Sequence, residues 1–506
     1  MIREALLGLD LGTSSVKAVF MDARGETIGS GARGYAIDSP AADWAQQSPG
    51  EWWNASVTSV REALAEAKKN AGGGFSVKGI SLSGQMHGLV ALDADDKPLG
   101  PAIIWADRRS SSEVRAVNAA IENIGVEYAC NGASTGFLLP SLLWLANNEP
   151  DVMDRVRTVM LPKDYVSFRM TGRRAAEPTD ASGSGACNVR DGGWNYALLS
   201  ELGIPCEIFP EMIPTGSFLG PLRAAAAEEM GLDEGIPVAA GAADQPAGAL
   251  GNGIAGFGMM SSTIGTAGQI FAPVTSPMYD REFRTNTFRH AGENLWYVLG
   301  ANLSAGYCLK WLKNTANIPG RYADLDKYAS RVPAGSRGVV FLPYLFGDRT
   351  PHRDERARAV FFGLAGSHGT DEMIRAVMEG VVFSMNEGVE LVRGLGIDPS
   401  VVVASGGGAR SKLWRQMQAD VYALPVTRAV SEEQACAGAA ILASVGAGIH
   451  PDIPSACEAM TRMSGETEEP DMRSHEIYMD IFGIYRELYS RNAELFARMT
   501  EFAKKG

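Results

Sequence analysis

What the chain lacks narrows it first. No apolar run among its 506 residues approaches the ~18 that a membrane-spanning helix needs, which excludes a helical membrane protein. Cysteine is sparse. The six residues Cys130, Cys187, Cys206, Cys308, Cys436 and Cys457 form neither a C-x-x-C pair nor a metal-ligand spacing. A disulfide scaffold and a structural zinc site are therefore excluded, and reduced thiols are expected. Positive charge is short as well: 46 Lys and Arg against 59 Asp and Glu leave a net charge of −13. That balance excludes nucleic acid and anionic membrane as main partners. A polyanionic ligand must then be held by local backbone donors or a metal ion. The first residues enter a strand pattern without a basic n-region and cleavage site, so a cytoplasmic protein is expected. No G-x-x-x-x-G-K-[ST] occurs, which removes the P-loop enzymes. Gly251, Gly253 and Gly256 fit G-x-G-x-x-G but follow a helical pattern, not a strand, so a dinucleotide fold is not indicated.

What is present is ordinary globular composition, 45% hydrophobic and 21% charged, in a chain too long for one core. Two lobes are expected, meeting near the midpoint, with a boundary at 253/254. There the strand pattern of 238–243 hands over to a helix at Asp244, and Gly265-Thr266 forms a turn between two apolar runs about twenty residues on. Residues 5–21 read as a β-hairpin. Leu7, Leu9 and Leu11 alternate with Gly8, Asp10 and Gly12, giving one apolar face and one small face carrying a single carboxylate. Its turn, Gly12-Thr13-Ser14-Ser15, offers backbone N–H groups and hydroxyls. Residues 9–20 and 263–271 share the pattern strand, Gly-Thr turn, strand, a weak internal duplication at the head of each half.

Other stretches supply candidates. Residues 84–88, G-Q-M-H-G, place Met86 and His87 on a tight loop between strands 79–83 and 89–92. Residues 101–109 read as a strand ending in Trp105, Asp107, Arg108 and Arg109. Residues 110–230 read as mostly helical and poor in motifs. A strand at 401–403 runs into Gly406-Gly407-Gly408 and a helix capped near Ser411; such a turn aims helix N–H groups at a phosphate. The small-residue helix 431–447 is expected beneath that turn. Helices are also expected at 51–70, 371–393 and 477–505. The last carries a stripe of Ile481, Tyr485, Leu488, Leu495, Met499 and Phe502, which should dock on the second lobe, with a homodimer seam as the alternative.

These residues resemble one family over essentially the whole chain. L-G-L-D-L-G-T-S-S-V-K (7–17), S-G-Q-M-H-G (83–88), A-I-I-W-A-D-R-R (102–109), G-A-A-D-Q-P-A-G-A (241–249), G-D-R-T-P-H (347–352), residues 359–379 and S-G-G-G-A-R-S-K-L-W (405–414) are similar to the FGGY carbohydrate kinases. The Gln-Met-His-Gly loop points to their xylulose branch. The resemblance implies an α/β fold of two RNase H-like lobes (the actin/Hsp70/sugar-kinase type) around a ligand cleft, with ATP and Mg²⁺ as cofactors and a small sugar as partner. It implies sugar binding and the catalytic base in 1–253, and nucleotide binding in 254–506. Asp244 would be the base, and Asp10 would lie near the transferring phosphate and hold Mg²⁺ through water. Gln85, Met86, His87, Trp105 and Asp107 would meet the sugar. Gly12, Thr13, Ser14, Lys17, Gly265 and Thr266 would hold phosphates, while Gly406, Gly407, Gly408 and Ser411 would take the adenosine end.

The sequence departs from the family pattern at Leu138 and Ser141 in the first signature, at Ala267 in the second phosphate turn, and at Glu355 and Ala359. A ketopentose kinase is the expectation. Kinases for ribulose, L-xylulose, erythritol or glycerol are the alternatives, with an actin- or Hsp70-like ATPase as the reading from another class.

Overall fold

The computed structural model describes residues 3–71 and 74–503. Two seven-stranded sheets organise them. In the first, Arg3–Leu11, Ser15–Met21 and Thr27–Gly34 form an antiparallel meander, and Phe75–Gly84 runs parallel to Arg3–Leu11. Pro237–Ala239, Ala242–Ala243 and Phe218–Pro221 complete it. The second repeats the scheme. Met259–Ile264, Gly268–Val274 and Trp296–Asn302 are antiparallel neighbours, and Val401–Ser405 runs parallel to Met259–Ile264. The duplication read from two Gly-Thr turns thus extends to whole sheets.

Glycine marks where helices approach these sheets closely. Pro49–Ala71 lies on one face of the first sheet, where a Cβ on Gly31 would stand 2.3 Å from the Ser59 carbonyl. The opposite face carries a helix from the far half of the chain. A Cβ on Gly8 would meet the Cys436 carbonyl at 2.0 Å, so only glycine admits the helix Gln434–Gly446 there. This corrects one expectation: the small-residue helix packs on the first sheet, not beneath the Gly406 turn. It also crosses Asp244–Gly251 in backbone contact, since a Cβ on Gly438 would stand 1.8 Å from the Ala247 carbonyl. Asp244 therefore sits at the start of a helix clamped between the two halves.

The tail forms one helix, Met472–Ala503; residues 504 and 505 of the expected helix lie outside the described residues. Its buried stripe is Tyr478, Phe482, Tyr485, Leu488 and Phe496. Tyr478, Phe482 and Tyr485 gather around Phe383 with centroids 5.7–5.9 Å away, and these rings fix the helix's rotation. Leu495, Met499 and Phe502 of the expected stripe are exposed in consequence. The region 110–230 is less helical than expected: short strands such as Thr158–Met160, Ala175–Ala176 and Cys187–Asn188 interrupt it. Likewise, residues 101–109 hold only the two-residue strand Ala102–Ile103 before turning. All six cysteines are free thiols.

Candidate active site

Asp10 and Asp244 line one cavity of about 230 Å³ between the halves, together with Gln245, Asn252, Thr263, Gln269, Ser405 and Gln434. Asp10 is the next-to-last residue of the strand Arg3–Leu11, where the parallel register sets Ser83 beside it and the antiparallel register sets Lys17 opposite. The Ser83 hydroxyl donates to Asp10 Oδ1 at 3.1 Å. Burial pushes the Asp10 carboxyl above the ordinary range, against that hydrogen bond and the charge of Lys17. Asp244 opens its helix, and its Oδ1 is buried without a hydrogen-bond partner. Burial first, and the Asp10 charge second, raise it to about 7. A carboxylate with an unmet acceptor and a pKa near neutrality is what a general base requires.

Each phosphate-turn candidate is rigidly built. Around the first turn, Gly12 N–H donates to the Ser15 carbonyl at 3.0 Å, and the Tyr35 hydroxyl donates to the Gly12 carbonyl. Trp105 Nε1 donates to the Thr13 hydroxyl at 2.9 Å. Ser14 follows in the same turn, exposed to solvent. In the second turn, Gly306 N–H donates to the Gly265 carbonyl at 2.8 Å and Ala305 N–H to that of Thr266 at 3.0 Å. The Gly406 turn leans on it: Cβ atoms on Gly406 and Gly408 would lie 2.7 Å from the Ile264 carbonyl and 2.6 Å from its side chain, while Gly407 faces open space. Lys17 is engaged by Glu433, whose Oε2 accepts from Nζ at 2.6 Å across the halves. Ser411 caps Lys412–Tyr422, its hydroxyl oxygen accepting the Trp414 N–H at 3.0 Å.

The sugar-loop candidates divide. His87 is held at φ 81, stacks on Phe137 at 4.1 Å, and donates from Nδ1 to the Gly183 carbonyl at 2.5 Å. Because that carbonyl can only accept, the proton belongs on Nδ1 and Nε2 keeps its lone pair. Burial lowers the ring's pKa to about 4, against the Gly183 bond and aided by the Arg349 charge, so it is neutral at pH 7. Gln85 donates from Nε2 to Gln47 at 2.9 Å, and Gln47 donates to the Thr13 carbonyl at 2.7 Å, tying the loop to the first turn. Met86 is 5% exposed and packs with Ala243, Phe271, Phe288 and Tyr297, a core position. Asp107 is closed off. Its oxygens accept from Ala45 N at 2.7 Å and from Arg109 Nε at 2.9 and 3.0 Å, so it braces the loop that carries Trp105.

Several lining residues had no reading in the sequence. Thr263 could have been found: the duplication aligns Thr263-Ile264-Gly265-Thr266 with Asp10-Leu11-Gly12-Thr13. Ser83, which holds Asp10 without lining the cavity, belongs to the S-G-Q-M-H-G stretch, but its place beside Asp10 depends on parallel register. Gln434 comes from distant chain and carried no local signal.

Among the described residues no group of three or more His, Cys, Asp or Glu could hold a metal ion by itself. Mg²⁺ is commonly held by one or two carboxylates plus water and phosphate oxygens, so the Asp10 oxygens in a cavity with the Thr263 and Ser405 hydroxyls suit that ion's preference.

Duplicated sheets on either side of one cavity, with both cavity carboxylates, Asp10 and Asp244, supplied by the first half, define the two-lobed, actin-like fold class. The chain belongs to the FGGY family of carbohydrate kinases: the family's N-terminal domain matches residues 5–251 and its C-terminal domain residues 260–447. It is accordingly an ATP-dependent carbohydrate kinase. It is 33% identical to the xylulose kinase of Staphylococcus epidermidis over 498 residues, 98% of this chain and 99% of that one. Among solved structures it resembles a xyloylose kinase from Brucella ovis (32% identity, TM-score 0.89, covering 97% and 100% of the two chains). It also resembles a gluconate kinase from Lactobacillus acidophilus (25% identity, TM-score 0.90, covering 98% and 100%).

Proposed function

We propose that the protein phosphorylates a ketopentose, D-xylulose at its 5-hydroxyl, with Asp244 as general base. The observation that carries this reading is the buried, unpartnered Asp244 Oδ1 in a cavity shared with Asp10. The sugar hydroxyl oxygen attacks the γ-phosphorus of ATP, its proton passes to Asp244, and the bond to the ADP oxygen breaks. A sugar alcohol is a weak nucleophile at neutral pH, and a positioned base contributes roughly 10²–10⁴-fold. Asp10, through water, would hold Mg²⁺, which neutralises phosphate charge when bound. His87, neutral and with a free Nε2, accepts a hydroxyl from the far end of the sugar, and the exposed Trp105 face offers a flat wall. The turns at Gly12-Thr13 and Gly265-Thr266 hold the phosphates through Thr13 and Thr266, since the Gly12 and Gly265 N–H groups already donate to the Ser15 and Ala267 carbonyls at 3.0 Å, and the open Gly407 leaves room for the nucleoside. Lys17 reaches phosphate only by leaving Glu433. Residues 1–253 and 254–506 act as the two lobes in this reading.

The relatives named xylulose kinase support the ketopentose. The likeness to a gluconate kinase favours, as the second reading, a sugar acid in the same pocket. ADP release measured over a panel of ketopentoses, polyols and aldonates separates them. The proposal expects D-xylulose to give the highest kcat/KM, and Asp244→Asn to lose at least about 10²-fold with ATP affinity unchanged. A higher kcat/KM for an aldonate would transfer the assignment to the second reading.

A further inference from the structure

Behind Asp244 lies a buried group of charges that the reaction above leaves without a task. Lys163, in the first turn of the helix Pro162–Thr171, is 1% exposed. Its Nζ stands 2.5 Å from Asp164 Oδ1, 3.2 Å from Glu177 Oε1 and 3.4 Å from Asp180 Oδ2. The three acids differ in how they are met. Glu177 is saturated: Oε1 accepts the Thr179 hydroxyl at 2.8 Å and the Asp180 N–H at 3.0 Å, while Oε2 accepts the Thr179 N–H at 2.8 Å and the Thr215 hydroxyl at 2.6 Å. Asp164 has Oδ1 on the lysine, which donates to it. Asp180 is fully buried, and neither of its oxygens receives a hydrogen bond.

The same segment touches the site at two points. The Thr179 hydroxyl oxygen accepts the N–H of Ala243, the residue before Asp244, at 2.9 Å. Three residues after Asp180, the Gly183 carbonyl takes the His87 proton. The charged and titratable groups acting on Asp180 are Lys163, Asp164, Glu177 and Asp244, and its own charge acts on Tyr297 beyond them. Four carboxylates against one ammonium would leave 1 − 4 = −3 among closely packed side chains. An ionised carboxylate without donors costs several kcal/mol there, so the group must retain protons. The acid with no donors gains most from keeping one.

We propose that Asp180 is a positioning residue that stays protonated at neutral pH, so that the negative charge this interior tolerates falls on Asp244. The inference rests on Asp244 being the base. Burial, chiefly, holds Asp180 well above the carboxylate range; Lys163 opposes this, and the charges of Asp164, Glu177 and Asp244 reinforce it. Burial also brings Asp164 up to about 6, against Lys163.

Infrared difference spectroscopy at neutral pH tests the proposal directly. Wild type minus Asp180→Asn is expected to show the carbonyl stretch of a protonated carboxylic acid, shifted in D₂O. In Asp244→Asn the band should titrate away at lower pH, because one repelling charge is gone. The acid limb of kcat/KM should stay within about 0.2 pH unit in Asp180→Asn, since the amide is neutral like the acid it replaces. No band lost in Asp180→Asn, or a limb moved more than about half a unit towards low pH, would mean that Asp180 is ionised and overturn the proposal. Turnover by Asp244→Asn reports separately on the base, so the two failures are told apart.

Discussion

The two Gly-Thr hairpins share a backbone and differ in charge. In the first, Asp10 pairs across the antiparallel register with Lys17 and across the parallel one with Ser83. In the second, Thr263 holds the matching place, paired with Gln269 and Ser405. One scaffold therefore presents a carboxylate and an ammonium in one lobe, and a hydroxyl and an amide in the other. Both open on the same cavity. In the proposed reaction the charged copy would hold the metal, whereas the neutral copy gives donors to phosphate without adding repulsion. The difference teaches that duplication supplied the geometry, and side-chain substitution at one register position divided the labour.

Changes that erase this difference should have graded effects. Asp10→Asn removes the charged copy's carboxylate and should lower kcat by about 10²–10³-fold, with the lost rate partly regained at high Mg²⁺. Steady-state kinetics over a magnesium series checks this, and an unaltered kcat would dissolve the distinction between hairpins. Thr263→Asp gives both hairpins a carboxylate. The added negative charge beside the phosphates should weaken ATP binding by about tenfold or more, measured by calorimetry. Thr263→Val removes one neutral donor worth about 1 kcal/mol, so a fivefold rise in KM for ATP is the expected size. Ala267→Ser restores a hydroxyl to the second turn and should change KM for ATP by no more than about threefold, in the favourable direction.

Stability offers a further check. A carboxyl whose folded pKa is raised, as Asp244's is to about 7, penalises the folded state increasingly as pH climbs from its unfolded value towards 7. Asp244→Asn removes that penalty. Its Tm should therefore match wild type near pH 4 and exceed it at pH 8, by an amount corresponding to about 4 kcal/mol. A variant less stable at pH 8 than wild type would argue against a strained, buried charge.

Much of this was legible because it is local. Alternation over residues 7–12 isolates Asp10 on a small-residue face, and the handover at 243–244 marks Asp244. The resemblance then joined these distant pieces. What stayed hidden depends on register and on remote chain. Asp107 looked like a sugar contact because its sequence neighbours are a tryptophan and arginines, yet Arg109 folds back onto it. Met86 sits in a ligand-type loop but points into the core, since the alternation of a tight turn does not say which side is packed. The helix 434–446 read as small-residue and close-packing, and so it is; its partner is a glycine on a strand more than four hundred residues earlier. The Lys163–Glu177–Asp180 group was invisible for the same reason, its members being ordinary surface residue types until the fold buries them together.

The central claim is that Asp244 takes the proton from the sugar. The pH dependence of kcat/KM for D-xylulose tests it most directly, because that quantity reports the base of the free enzyme. A buried carboxylate raised to about 7 predicts a rate that falls about tenfold per unit below that pH and levels off above it, with the limb absent from the residual activity of Asp244→Asn. A wild-type profile flat down to the pH of an ordinary exposed carboxylate, or a limb that survives in Asp244→Asn, would contradict the account.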